Sequence, residues 1–328
     1  MGKYTAIDDP SAYFQTALYT GNAGFNTITN DGNSDLAPDF IWGKCRSTTK
    51  THFLYDTTRG AEKRLESDNT GVEDTGTNGI LNFYTDGFRT ASGNTENDNG
   101  ESYVAWQWKA NGGTTSSNTD GSKTATVQTN TDAGFSIVTY TGTQSNATVG
   151  HGLGAVPNWI ITKCRSASNG WPIFHHKNTS APETELFRLN ETSATADNAL
   201  PWNDTAPTST VFSIGANDEN NKSSATQLAY CFAEKQGYSK FGSYTGNGNA
   251  DGPFIYLGFK PAYFLLKSTD ITQHWYVFDT ARDTYNPSNS TIQPSTNNAQ
   301  QTGHAMDFLS NGFKIRHNAG ASKRSGNS

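Results

Sequence analysis

The sequence predicts an all-β protein made of three tandem β-sandwich-like repeats, the third lacking its closing strand. Three observations carry that prediction: an aromatic-rich but charge-poor composition, one stretch of text used three times, and alternation of large and small residues in the last strand of the first two copies. Of the 328 residues only 33% are hydrophobic and 16% charged, against roughly 45–50% and about 25% in ordinary domains. Thr, Ser, Asn and 32 glycines fill the difference. Disorder is a poor match, because 7 Trp, 14 Tyr and 18 Phe are far too many aromatics for an unfolded chain. Large aromatics in a Thr/Asn/Gly background favour half-buried strands and tight turns over helices, which draw on Ala, Leu, Glu and Lys.

The repeat starts in each copy with a Tyr-Thr-Gly turn: Tyr19-Thr20-Gly21, Tyr140-Thr141-Gly142 and Tyr244-Thr245-Gly246. Next comes the segment Pro38–Ser47, echoed by Pro157–Ser166 and, more loosely, Pro261–Ser268. Offsets of 119 and 104 residues hold without a gap through Lys44/Lys163/Lys267, Tyr55/Phe174/Phe278 and Arg59/Asn178/Arg282. Gly87-Phe88 then matches Val211-Phe212 and Gly312-Phe313. The last element is an alternating strand, Tyr103–Lys109 in copy one and Gln227–Ala233 in copy two. Since strand side chains alternate between faces, Val104, Trp106 and Trp108 share one bulky face, as do Leu228, Tyr230 and Phe232. Ala105 and Ala229 fall on the other face, where another layer can approach closely.

The expected boundaries are residues 1–110 for repeat 1, 111–134 for a flexible Gly/Ser/Thr/Asn-rich linker, 135–237 for repeat 2 and 238–328 for repeat 3. Because the join between repeats 2 and 3 is short, those two are expected to form the more rigid pair. In repeat 3 the alternating strand falls due some twenty positions beyond Phe313, past Ser328. An open sheet edge invites pairing. Three arrangements fit: a chain continuing past Ser328, which is the preferred one, Tyr4–Ile7 folding back into the gap, or a strand donated by a neighbour.

Net charge of −6 makes a long polyanion an unsuitable partner, and Lys323-Arg324 is too small a basic patch for nucleic acid. No apolar run approaches the roughly 18 residues of a membrane span, and Met1–Thr5 lacks the apolar core of a signal peptide. Cys45, Cys164 and Cys231 are too sparse for a disulfide scaffold or a metal knuckle, and are expected as buried free thiols of a protein made in a reducing cytoplasm.

Candidate chemistry is thin. Glu183 and Glu185 form a carboxylate pair at i and i+2, of the kind glycoside cleavage uses, but their surroundings suggest a solvated loop or edge. His175-His176, with His151 nearby, suggest a metal site, yet neighbouring strand residues point to opposite faces. Asp56-x-x-Arg59 and Asp279-x-x-Arg282 suit a turn-capping Asp with a local ion pair, replaced in copy two by His175 and Asn178. Lys44, Lys163 and Lys267 are expected to lay their stems on apolar surface and carry their charge to water. No Walker loop, dinucleotide fingerprint, nucleophile elbow or Cys/His nucleophile pair occurs. The expectation is therefore no catalytic, metal or cofactor-binding residue and no cofactor.

Several of these segments resemble a known family. Asp9-Pro10-Ser11-Ala12-Tyr13-Phe14, Tyr19–Asn22, Pro38–Ser47, Asp56-x-x-Arg59-Gly60, Asp86-Gly87-Phe88, Tyr103–Ala110 and Tyr238–Tyr244 are similar to repeat modules in tail-fibre and other virion appendage proteins of marine tailed bacteriophages. The resemblance runs from about residue 8 to 328 and brings no catalytic residues. It implies a virion structural protein, a tail fibre or fibre-like appendage, that binds other virion proteins and a host cell-surface glycan or protein. It also implies homo-oligomers, trimers among them, although the triplication can instead imitate a trimer within one chain. A capsid decoration or head-fibre protein, and a polysaccharide depolymerase using Glu183 and Glu185, are the alternatives.

Overall fold

The computed structural model describes residues 5–76, 78–93, 95–317 and 326–327. The fold is all-β, with antiparallel pairing in every named sheet. Among the described residues the helical content is one four-residue α1 (Asp218–Asn221) and two 3-10 turns, Pro10–Ala12 and Pro182–Thr184. No helix among them is long and apolar enough to cross a membrane.

The first unit comprises β1 (Phe14–Thr20), β2 (Asn26–Ile28), β3 (Phe40–Cys45), β4 (Phe53–Asp56), β5 (Lys63–Arg64), β6 (Asp74–Thr75), β7 (Ile80–Phe83), β8 (Phe88–Thr90) and β9 (Ser102–Trp108). The second comprises β10 (Ser116–Asn118), β11 (Ala125–Asn130), β12 (Phe135–Thr141), β13 (Ala147–Gly150), β14 (Trp159–Cys164), β15 (Pro172–His175), β16 (Glu185–Arg188), β17 (Ala196–Asp197), β18 (Val211–Ile214) and β19 (Thr226–Phe232). The third comprises β20 (Ser243–Tyr244), β21 (Phe254–Tyr256), β22 (Tyr263–Ser268), β23 (Tyr276–Asp279), β24 (Ser288–Thr291), β25 (Gln301–Leu309), β26 (Gly312–Ile315) and β27 (Gly326–Asn327).

Each unit has an inner sheet with the same neighbour order. It is β1-β9-β3-β4 in the first, β12-β19-β14-β15 within the larger sheet of the second, and β20-β27-β22-β23 in the third. A second, outer sheet packs on each: β2-β8-β7, β13-β18 and β21-β26-β25-β24. At the turn into β8, Gly87 has φ +98°, and a Cβ there would meet the Ile28 carbonyl at 2.0 Å. Gly312 stands in the same relation to the Ile255 carbonyl, again at 2.0 Å, so the backbone of the outer sheet passes too close for any side chain.

The two faces of the inner sheets have different duties. The small-residue face packs on the unit's own outer sheet: Ala105, Ile41 and Tyr103 meet Ile28, Ile80 and Phe88, while Ala229 and Ile160 meet Val149, Phe212 and Ile214. The bulky face turns toward the other units. Val104, Trp106, Phe40 and Trp42 join Leu228, Tyr230, Trp159 and Ile161, and Trp275 and Val277 of the third unit, in one core common to all three.

The junctions are equivalent. Lys50 N–H donates to the Asn297 carbonyl, Asn169 to Thr70 and Gln273 to Thr192, at 2.9, 3.0 and 2.8 Å. A second set runs from Gln300 to Arg46, Glu73 to Arg165 and Thr195 to Thr269, at 2.9, 2.8 and 2.9 Å. First unit thus holds third, second holds first and third holds second, a closed cycle. The expected special pairing of the second and third units gives way to a ring in which each junction carries the same backbone bonds.

Two expectations are corrected here. Segment 111–134 is not a free linker, because β11 pairs with β12 along its whole length and buries Ala125 and Val127 in the second unit's core. Its glycines are tied down as well. The buried Asp39 carboxylate accepts N–H groups from Ala110, Gly112 and Gly113 at 2.7, 2.9 and 2.8 Å, a contact some 70 residues away in sequence. The third unit also has a piece of closing strand: Gly326–Asn327 lies between β20 and β22, in the place that β9 and β19 take in the other units. Tyr4 lies outside the described residues, and Ala6 donates its N–H to the Gln236 carbonyl, not to a strand of the third sheet.

Because the largest side chains are shared by three units, unfolding is expected to be one cooperative transition. Trp171→Ala, which also removes indole N–H bonds to the Glu66 and Asn69 carbonyls of the first unit, should lower the stability of the whole chain by about 3–5 kcal/mol. Urea titrations followed by tryptophan fluorescence and far-UV circular dichroism should move together; separate transitions would contradict the common core.

Candidate functional site

A partly open cavity of about 230 Å³ lies where the three bulky faces meet. It is lined by the junction segment Gly237–Phe241, by β22 from Tyr263 to Leu265 and by the aromatic side chains of Trp42, Trp108, Trp159 and Phe232. Trp108 stands 5.6 Å from the Tyr263 ring and 6.3 Å from Phe232, both edge to face. Among the described residues, the charged side chains that line it are Lys109, Lys240 and Lys260, and no Asp, Glu, His or Cys does so. Burial raises the Tyr238 and Tyr263 hydroxyls well above the usual range, so both stay neutral. The cavity can sequester and stack apolar groups; among its described lining residues there is no carboxylate, imidazole or thiol for acid, base or nucleophilic work.

The three recurring lysines are not where sequence reasoning puts them. Lys44, Lys163 and Lys267 have no exposed surface, and their ammonium groups meet backbone carbonyls instead of water. Lys44 Nζ donates to Cys45 O at 2.7 Å, and Lys163 Nζ to Asn169 O at 2.5 Å and Thr70 O at 3.1 Å. Lys267 Nζ donates to Ser268 O at 3.0 Å and Thr192 O at 3.2 Å. Two of these carbonyls belong to the neighbouring unit, which seals off the route to solvent. Burial lowers all three from the ordinary value of 10.5 to about 8.

The Asp-x-x-Arg pairs are buried structural clips. Asp56 accepts the Arg59 N–H at 2.8 Å and its Nε at 2.5 Å, and Asp279 does the same for Arg282 at 2.8 and 2.5 Å. Each carboxylate also takes a ring donor from another unit: the Tyr230 hydroxyl at 2.7 Å on Asp56, and the Trp106 indole N–H at 2.9 Å on Asp279. Burial disfavours the Arg59 charge, yet Asp56, Tyr230 and Glu73 together hold its pKa above the usual value. In the second unit Asn178 N–H donates to the His175 carbonyl at 2.9 Å, keeping the turn without the charges.

The histidines serve the backbone. His175 Nδ1 accepts from Lys177 N–H at 3.0 Å, His176 Nε2 meets the Phe241 carbonyl at 3.0 Å, and His151 Nε2 meets the Thr208 carbonyl at 3.1 Å. Among the described residues no group of three or more His, Cys, Asp or Glu is placed to hold a metal. Glu183 lies in a 3-10 turn and Glu185 opens β16 opposite Asp197, so they do not share one strand face, and neither lines the cavity. Cys45, Cys164 and Cys231 are buried and free, and burial pushes the Cys231 thiol far above its ordinary value.

What sequence reasoning missed is the cavity itself and its lining residues Tyr238 and Phe241, which gather residues far apart in sequence and so leave no local signal.

A family model for a domain of unknown function, DUF7483, matches residues 9–328. The chain belongs to the DUF7483 family. No curated protein and no solved structure matches it. Membership of DUF7483 fixes no activity, so function has to be argued from the geometry.

Two outcomes follow. Asp56→Asn leaves the buried Arg59 charge with a weaker partner and should cost about 3–5 kcal/mol, whereas Tyr230→Phe should cost about 1 kcal/mol. Their double-mutant cycle, read by urea unfolding, should show coupling between the first and second units; additivity would contradict the contact. The lysines set a pH slope. Below pH 8 they are charged in both states and their burial penalty stands; above it the folded chain gives up protons before the unfolded chain does. Stability should therefore rise between pH 7.5 and 9, by up to about 1.4 kcal/mol per pH unit for each lysine. Above about 9 the buried Cys231 thiol acts in the opposite sense. Lys163→Met should remove roughly one third of the slope, measured by urea unfolding at each pH.

Proposed function

We propose that this protein is a virion structural component, a tail fibre or fibre-like appendage, that works by binding a host surface or neighbouring virion proteins. The observation that carries the reading is the ring. Three two-sheet units close on one another through equivalent backbone bonds, with aromatics turned inward. Such a ring inside one chain presents threefold-like surroundings, which suits attachment to a trimeric shaft. The resemblance to virion appendage modules supports the same placement, and so does a surface poor in charge and rich in Thr, Ser, Asn and Gly.

Binding would use exposed loops and edges. Tyr256 on β21 and Tyr285 in the loop before β24 are 67% and 85% exposed, unusual for tyrosine and suited to stacking on sugar or protein. The buried charges are committed to the fold, which favours a binding role over a catalytic one.

Immunogold labelling of intact particles tests the reading. Label on the tail or its fibres is the expected result; label over the capsid lattice would move the protein to shell decoration, and no label would remove it from the virion. Release of reducing ends from host glycan, lost in Glu183→Gln, would replace binding with depolymerase activity.

A further inference from the structure

The outer sheets of the three units share one pairing, and it serves as an internal reference. Ile28↔Phe88, Val149↔Phe212 and Ile255↔Phe313 occupy the same place, each with its aliphatic side chain packed on the core of its unit. Because strand residues alternate, the positions on either side of that aliphatic residue point away from the core. In the first unit they are Thr27 and Thr29, in the second Thr148 and Gly150, and in the third Phe254 and Tyr256. Thr and Gly therefore satisfy the fold at these positions. The two aromatics of β21 have no packing duty that the sister units share, and they stand 45% and 67% exposed.

Both rings lie beside glycine, which leaves their faces uncrowded. A Cβ on Gly312, the residue opposite Tyr256, would stand 3.1 Å from Phe254 Cε2, and one on Gly258 would stand 3.5 Å from the Tyr256 hydroxyl. A chain of ion pairs runs alongside. Lys314, directly opposite Phe254, is 2.7 Å from Asp251, which Arg316 meets at 3.5 Å, and Arg316 Nε is 3.3 Å from Asp307. These cations and carboxylates balance, so the face has hydrogen-bond donors and acceptors without net charge.

We infer that Phe254 and Tyr256 form a stacking platform for an uncharged oligosaccharide laid along β21, whose hydroxyls bond to the neighbouring ion-pair chain. The inference rests on the binding role proposed above and gives it a site and a ligand class. Three features select that ligand. A sugar ring has an apolar C–H face and a hydroxylated rim, which matches open aromatic faces flanked by polar groups. The two aromatics are separated by two strand residues, roughly 7 Å, so a chain of sugars can meet both. Even wholly covered, the two rings bury at most about 500 Å², short of the roughly 800 Å² per partner in a stable protein interface. The balanced charges, on a chain of net charge −6, give no attraction to a polyanion.

The test uses the full chain and saturation-transfer NMR with neutral hexasaccharides of glucose, mannose, galactose and N-acetylglucosamine, and an oligogalacturonate as the acidic counterpart. Transfer to the ring C–H protons of at least one neutral sugar is expected. Replacing the pair with the first unit's residues, Phe254→Thr together with Tyr256→Thr, should weaken binding about tenfold or more, while far-UV circular dichroism and the urea midpoint stay unchanged. Tyr256→Phe keeps the ring and should retain binding. No transfer from the folded chain to any neutral sugar, undiminished binding by the double variant, or preference for the oligogalacturonate would overturn the inference. Self-association abolished in the double variant would do so as well, because the rings would then belong to an interface between copies. Absence of immunogold label from the particle counts against the virion placement alone, since the sugar titration is made on the isolated chain.

Discussion

The structure depends on one constraint: each inner sheet has two apolar faces, and a unit alone can cover only one of them. The outer sheet covers the small-residue face, as Ala105 and Ala229 allow close approach. The opposite face, with Trp42 and Trp106 in one unit and Trp159 and Tyr230 in another, has to find cover elsewhere. Three such faces arranged about a centre cover each other. This explains how a chain with so few hydrophobic residues builds a well-buried interior, because its largest side chains are shared across units. It also explains the position of the cavity, which lies among the bulky side chains of all three units.

Sharing a core imposes a cost on every polar group carried into it. The lysine ammonium groups and the Asp-Arg clips lie where water does not reach, and buried polar groups need partners. The partners come from the adjoining unit. Lys163 caps the Thr70 carbonyl, Trp171 donates to Glu66 and Asn69, and Tyr230 completes Asp56. Removing one unit would therefore leave unpaired donors, acceptors and charges on its neighbours as well as exposed aromatics. The ring is held by geometry as much as by apolar area.

How much of this could be read from the sequence follows from the range of the interactions. Strand alternation and turn chemistry act over a few residues, so the β class, the Asp56 and Asp279 turns and the two-faced strands were legible. Alternation says that two faces differ, but not which neighbour each will meet. The bulky face could equally have filled a lone sandwich. The lysines were misplaced for the same reason: a snorkelling lysine and one that caps a carbonyl 93 positions away have the same local text. Segment 111–134 looks like a linker until Asp39, far upstream, is seen to gather its N–H groups.

A ring within one chain differs from a homotrimer in a way that bears on binding. In a homotrimer each surface occurs three times, so every change is copied to all sites. Here the copies have diverged one at a time. The second has exchanged Asp and Arg for His175 and Asn178, and has extended its inner sheet with β10, β11, β16 and β17. The third is preceded by the segment Gly237–Phe241, which lines the aromatic cavity. A partner that engages any of these features meets a single site per chain. Multivalent attachment then has to come from several chains in an assembly. Threefold-like packing thus supplies stability through likeness, while the differences between the units supply specificity.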